Sequence, residues 1–323
     1  MNGTPLKPGA TIGFVGLGNM GLPMVRRLLA AGYRIRAYDR ARASVDALAG
    51  HLAASDLAAS DLAASDLAAS DLDGGVAADA ATTARGADAV VLMLPDSDVV
   101  EAVLQDDGLL AAAAPGTVVV DMGSSRPLST RALAERAAAR GVGLVDAPVS
   151  GGVKGAVDGT LTVMAGGEPG DFDRVRPILE TVGRRVLHLG PAGAGHALKA
   201  LNNLMSATHL LLTSEAMLAG QRFGLDPAVM LEAVNGSSGR SGSTERKWPD
   251  YVLPGTFDSG FGLRLMLKDM RIAVDLAEAT GVEPRLGRAA TDLWADAADH
   301  LPPAADHTEI VTRLRQLLED HRD

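Results

Sequence analysis

A chain of 323 residues with 30 Lys+Arg against 40 Asp+Glu, a formal net charge of −10, is long enough for two domains with cores of their own and too long for a stapled mini-scaffold. The acidic balance argues against nucleic acid and anionic membrane as partners, because both reward a cationic face; with no cysteine at all, disulfides, thiolate metal sites and thiol nucleophiles are excluded. Apolar residues make up 47% and aromatics 3%, so the core must be aliphatic, and the lack of a signal-peptide pattern or of about 18 uncharged apolar residues in a row leads to the expectation of a soluble, cytoplasmic protein.

In chain order, short β-rich runs at 11–16, 34–38, 89–94, 117–121, 143–147, 160–165 and 185–189 alternate with Ala- and Leu-rich helical stretches. This alternation predicts an α/β fold of the Rossmann type, a doubly wound parallel sheet with helices on both faces. The runs are continuously apolar rather than alternating, as strands buried on both sides require. Residues 51–72 repeat Leu-Ala-Ala-Ser-Asp with a period of five, which matches neither helix nor strand, and read as an exposed low-complexity insert. After Gly190-Pro191-Ala192-Gly193 only helical patterns remain, at 194–223, 227–235, 265–280, 286–298 and 308–320. The domains expected are therefore a dinucleotide-binding domain at 1–190 and an all-α substrate and dimerisation domain at 191–323. Residues 236–262, rich in Gly, Ser, Thr and basic side chains, read as a long connecting loop, functional or simply mobile, whose three cations Arg240, Arg246 and Lys247 either face solvent or favour a polar or second anionic group on a substrate, the solvated reading being preferred.

The first predicted strand runs straight into Gly16-Leu17-Gly18-Asn19-Met20-Gly21 and then a helical pattern. Gly16 permits the tight turn, Gly18 lets a pyrophosphate approach the backbone, and Gly21 lets helix and strand touch; the helix N-terminus offers unpaired N–H groups to the anion. Asp39, at the end of the second predicted strand, can accept both ribose hydroxyls. It favours NAD by repelling a 2′-phosphate, while the adjacent Arg40 keeps NADP open.

Lys199 lies early in a long predicted helix, and at 100° per residue Asn202, Asn203 and Ser206 share its face. His209 falls off that face and reads as a core or interface residue. Asp146-Ala147-Pro148-Val149-Ser150-Gly151-Gly152 ends a strand in a turn suited to cradle a small carboxylate, or to serve as structure alone.

Taken together, the glycine motif, the segment Asp146 to Gly152 with Gly155-Ala156 and Gly159-Thr160-Leu161-Thr162, Gly195-x-x-x-Lys199-x-x-Asn202-Asn203, and Lys268-Asp269 resemble the β-hydroxyacid dehydrogenase family over nearly the whole chain. The resemblance implies an NAD(P)-dependent oxidoreductase acting on a small 3-hydroxy acid such as 3-hydroxyisobutyrate, or on its semialdehyde. It implies Lys199 as catalytic acid and base, Asn203 as the amide holding the substrate, and Ser150, Gly151 and Gly152 as the carboxylate loop. It further implies Leu94 and Pro95 near the adenosine ribose, Ser124 near nicotinamide and substrate, Lys268 closing over the cofactor, and a homodimer or homotetramer. Where many relatives carry a serine, this chain has Gly123, which leaves Ser124 as the one hydroxyl there. Such chemistry needs no metal; it needs a positioned amine whose pKa lies near working pH. An imine reductase on the same fold, which usually lacks a lysine at the position of Lys199, and a non-catalytic NAD(P)-binding regulator are the alternative readings.

Overall fold

The seven apolar runs form strands, and three short strands join them. The computed structural model describes residues 3–54, 72–73 and 76–320; most of the repeat at 51–72 lies outside them. The strands are β1 (Thr11–Val15), β2 (Arg34–Tyr38), β3 (Leu72–Asp73), β4 (Val76–Ala77), β5 (Ala89–Leu92), β6 (Val118–Asp121), β7 (Gly143–Asp146), β8 (Val149–Ser150), β9 (Leu161–Gly166) and β10 (Gly183–Gly190). They make one sheet in the order β10-β9-β7-β6-β5-β1-β2-β4-β3, with β8 paired to β9. The chain winds outward from β1 through β2 to β4, then restarts at β5 on the other side, so the topological switch lies between β1 and β5.

Successive residues of β5 show why these strands read as unbroken apolar runs. Ala89 and Val91 join one core with Ile12, Phe14 and Val145, while Val90 and Leu92 join a second core with Val15, Val119 and Leu144. At the central strands β1, β5 and β6 both faces are buried, which leaves no position for a polar alternation, whereas the edge strand β10 is largely exposed.

The expected parallel pairing holds through most of the sheet, with antiparallel departures at two places. β3 and β4 form an antiparallel pair, and β9 runs antiparallel to both β7 and β8. A parallel crossover usually takes a dozen or more residues with a packed helix. Between β7 and β9 the chain spends its length on β8 and the short helix Gly152–Asp158, and it turns back instead. The full helix Pro169–Val182 then restores a parallel step from β9 to β10.

The chain divides into two compact units, the first ending at Lys199 and the second beginning at Ala200. That division falls inside the helix Ala194–Phe223, because its first turn is tied to the first unit through Asp146. The second unit is helical: Pro227–Asn235, Leu263–Ala279, Arg285–His300 and Ile310–Asp320 surround Trp248, Trp294, Leu210 and Met270. The expected loop at 236–262 is corrected by a ten-residue π-helical segment, Ser243–Val252, that buries Trp248 and Val252 and lets the Trp248 indole donate to Ser214 Oγ at 3.2 Å. Wide turns of this kind carry no 3.6-residue periodicity, so the pattern was absent from the sequence. Among the described residues no helix is long and apolar enough to cross a membrane.

Candidate active site

Parallel register brings the expected site segments of the first unit to one edge. Val15 stands opposite Leu92, Leu92 opposite Asp121, and Asp121 opposite Asp146. The segments following β1, β5, β6 and β7 therefore leave from the carboxyl edge, where open α/β sheets bind ligands. They carry the loop 16–21, then Leu94 and Pro95, then Ser124, then the turn toward Ser150.

The three glycines of the first loop have different causes. Gly16 has a φ of 101° and lies against the Met93 carbonyl, and a Cβ at Gly21 would collide with the Gly16 carbonyl. Gly18 is exposed, and a Cβ there would meet nothing within 4 Å. The protein's own packing does not demand glycine at 18, whereas a pyrophosphate lying on the backbone does. The helix that follows, Gly21–Ala30, has no side-chain cap and no acidic residue in its first turn, so its positive end is left for an anion. Asp39 reaches this loop: its Oδ2 accepts the Leu17 N–H at 2.6 Å and its Oδ1 the Ala41 N–H at 2.7 Å. A carboxylate oxygen has lone pairs to spare after one such bond, so ribose hydroxyls remain within its capacity. Asn19 and Arg40 are exposed, Met20 is half-buried and Leu17 is buried. These residues fit a dinucleotide.

Gly123 also has a physical cause. A Cβ there would stand 2.7 Å from the Leu94 carbonyl oxygen and 3.1 Å from Asp121 Oδ1. Asp121 itself shapes the loop, accepting the Gly123 N–H at 2.9 Å and the Ser125 hydroxyl at 2.8 Å. Ser124 is half-buried between them in sequence. In the next segment Ser150 pairs with Thr162 across β8 and β9, and Gly151 and Gly152 take φ values of 134° and 64° that favour glycine.

Lys199, 9% exposed, owes its place to a cluster that sequence reasoning missed. The buried Asp146 accepts the Gly193 N–H at 2.7 Å and the His196 N–H at 2.8 Å, fixing the start of the lysine's helix at the carboxyl edge of β7. Burial pushes the Asp146 carboxyl up, and the nearby His196 and these backbone donors oppose it. The His196 ring lies fully buried between two carboxylates, 3.7 Å from Asp121 and 3.8 Å from Asp146, with Nδ1 2.8 Å from the Thr130 hydroxyl. One signal was available: Asp121 and Asp146 each close an otherwise apolar strand run, an unusual place for a charge unless something binds it.

In the second unit, Asn203 donates its amide N–H to Asp269 Oδ2 at 2.6 Å and accepts from Asn202 at 3.2 Å. Asp269 is buried and pairs with Lys268 at 3.2 Å. Ser206, expected on the lysine's face, accepts from Lys247 Nζ at 2.8 Å. His209 is exposed, which removes the core reading for it.

Residues 11–190 match the family model described as the NAD binding domain of 6-phosphogluconate dehydrogenase. Residues 193–314 match the one described as NAD-binding of NADP-dependent 3-hydroxyisobutyrate dehydrogenase. The chain is 38% identical over 290 residues to an NAD-dependent L-serine dehydrogenase of Pseudomonas aeruginosa, covering 88% of this chain and 90% of that one. It is 36% identical over 284 residues to a 2-(hydroxymethyl)glutarate dehydrogenase of Eubacterium barkeri, covering 88% and 87%. Among solved structures, Mycobacterium tuberculosis 3-hydroxyisobutyrate dehydrogenase with L-serine superposes with a TM-score of 0.83 at 32% identity, over 95% of this chain and 99% of that one. Two family models that together span both halves, and a carboxyl edge built for a dinucleotide, lead to one conclusion: the chain belongs to the β-hydroxyacid dehydrogenase family and is an NAD(P)-dependent hydroxyacid dehydrogenase.

Proposed function

We propose that this dehydrogenase works in the cytoplasm on a small 3-hydroxy acid of the 3-hydroxyisobutyrate or L-serine kind, interconverting it with its semialdehyde or keto form, and that Lys199 is the general acid and base. The observation that carries this reading is the buried residue Lys199 on a helix whose first N–H groups are held by Asp146 at the edge bearing the glycine loop. NAD(P), when bound, supplies the hydride acceptor for oxidation and the donor for reduction. Lys199 takes the proton from the alcohol oxygen in oxidation and returns it in reduction. Asn203 gives one amide hydrogen to Asp269, which fixes the amide and leaves its second hydrogen for the substrate. Ser150, Gly151 and Gly152 hold the substrate carboxylate, and Ser124 faces nicotinamide and substrate. Gly16 to Gly21 and Asp39 hold the dinucleotide, with Arg40, Leu94, Pro95 and Lys268 as further cofactor contacts. Assay of 3-hydroxyisobutyrate, L-serine, 2-(hydroxymethyl)glutarate, glycerate and threonate with each dinucleotide tests this reading; no turnover of any of them would overturn it.

NAD is the preferred cofactor in this reading, because Asp39 stands where a 2′-phosphate would be repelled. Asp39→Ala is expected to lower kcat/KM for NAD about tenfold, the scale of a charge-assisted hydrogen bond, while raising relative use of NADP. An unchanged NAD to NADP ratio would remove Asp39 from cofactor selection. A homodimer or homotetramer is supported by the exposed Leu201, Met205 and Leu212, which share one stripe of the long helix; mass photometry should find no monomer at micromolar concentration.

A further inference from the structure

The segment 240–247 carries three cations, and they differ. Arg240 pairs with Glu245 at 3.6 Å and Arg246 with Asp250 at 3.1 Å, all four side chains well exposed. Lys247 turns inward. It is half-buried, and its ammonium donates to the Ser206 hydroxyl at 2.8 Å and the Ser206 carbonyl at 3.3 Å. Burial draws its pKa down to about 8, against the opposing pull of Asp306. Among the described residues no carboxylate lies within ion-pair distance of it. Asp306 is itself occupied, accepting from Ser259, Gly260, Phe261 and Thr308. A desolvated cation without a full counter-charge is stabilised by any anion that can reach it. Ser206 lies three residues beyond Asn203, about 4.5 Å along the same helix and on the same face.

We infer that Lys247 is a subsite for a second anionic group, so that the preferred substrate is a 3-hydroxy acid bearing another carboxylate a few bonds beyond the reacting carbon. The inference deepens the proposed function and rests on Asn203 contacting the substrate. Lys247 attracts the distal carboxylate through charge and a hydrogen bond, and the Ser206 hydroxyl holds the ammonium in place.

The experiment compares kcat/KM for 2-(hydroxymethyl)glutarate with kcat/KM for 3-hydroxyisobutyrate in the dinucleotide-loaded enzyme and in Lys247→Met, Lys247→Gln and Arg246→Ala. The dicarboxylate to monocarboxylate ratio should exceed one in the wild type and fall about 10- to 100-fold in Lys247→Met, the scale of one hydrogen bond to a charge. Lys247→Gln keeps a donor for Ser206 and should fall nearly as far, and Arg246→Ala should keep the wild-type ratio. A wild-type ratio below one, or a ratio unmoved in both Lys247 variants, overturns the inference. Should Lys247→Met fail to fold, wild-type competition decides, with glutarate expected to inhibit more strongly than butyrate and equal inhibition counting against. Asn203→Ala, run in parallel, separates the two levels: unimpaired turnover in that variant sinks the underlying reading, whereas its loss of turnover alongside unmoved Lys247 ratios sinks only the subsite.

Discussion

Lys199→Ala is expected to lower kcat by about 10²- to 10⁴-fold, the range that a positioned proton-transfer group contributes, while the enzyme still binds dinucleotide. The asymmetry follows from the architecture. Apart from Lys268, the residues proposed to hold the dinucleotide lie on loops after β1, β2, β5 and β6, whereas Lys199 sits on a helix anchored separately, through Asp146 at the end of β7. Removing the amine takes away the proposed proton acceptor and leaves the Asp146 hydrogen bonds, which use the backbone of Gly193 and His196. Steady-state turnover read from reduced-nicotinamide absorbance, with calorimetric dinucleotide binding, checks both halves. Near-normal turnover in the variant would refute the role of Lys199. Loss of binding with loss of turnover would instead point to collapse of the helix start.

The second large effect separates glycines that fold the chain from the glycine that admits the ligand. Gly21→Ala forces a Cβ into the Gly16 carbonyl, backbone against backbone, and neither can swing away. The cost expected from such overpacking is about 1–3 kcal/mol or more, read as a lower melting temperature and lost cofactor binding together. Gly18→Ala adds its methyl to open space at an exposed position, so the melting temperature of the unliganded protein should hold. Its dinucleotide affinity should nonetheless fall by an order of magnitude or more, because the methyl occupies the ground over which a pyrophosphate must lie. Equal affinity in Gly18→Ala and wild type would show that the phosphates bind elsewhere.

These cases also mark what was legible in the sequence. The helix 194–223 was readable to the residue, since it holds no proline and is bracketed by Gly193 and Gly224, and the buried strands announced themselves as apolar runs. The glycine loop was readable because backbone geometry leaves few substitutes for glycine. The two-residue strands β3, β4 and β8 were not, because no periodicity can build up over two residues. Nor was the π-helical segment, whose basic and Gly/Ser-rich surroundings hid the buried Trp248. Asp121, Asp146 and His196 are distant in the chain, and only the register of β6 against β7, with the return of the helix from β10, brings them together. Lys247 looked like its neighbours Arg240 and Arg246; which of three cations turns inward is decided by Ser206, forty-one positions away.

The crowding at Gly123 narrows how this enzyme could acquire a new specificity. With the Leu94 carbonyl 2.7 Å from where a first side-chain atom would stand, position 123 admits no residue larger than hydrogen unless the chain after β5 is rerouted. A single substitution at 123 is therefore expected to displace the chain after β5 before it changes any contact with a bound ligand.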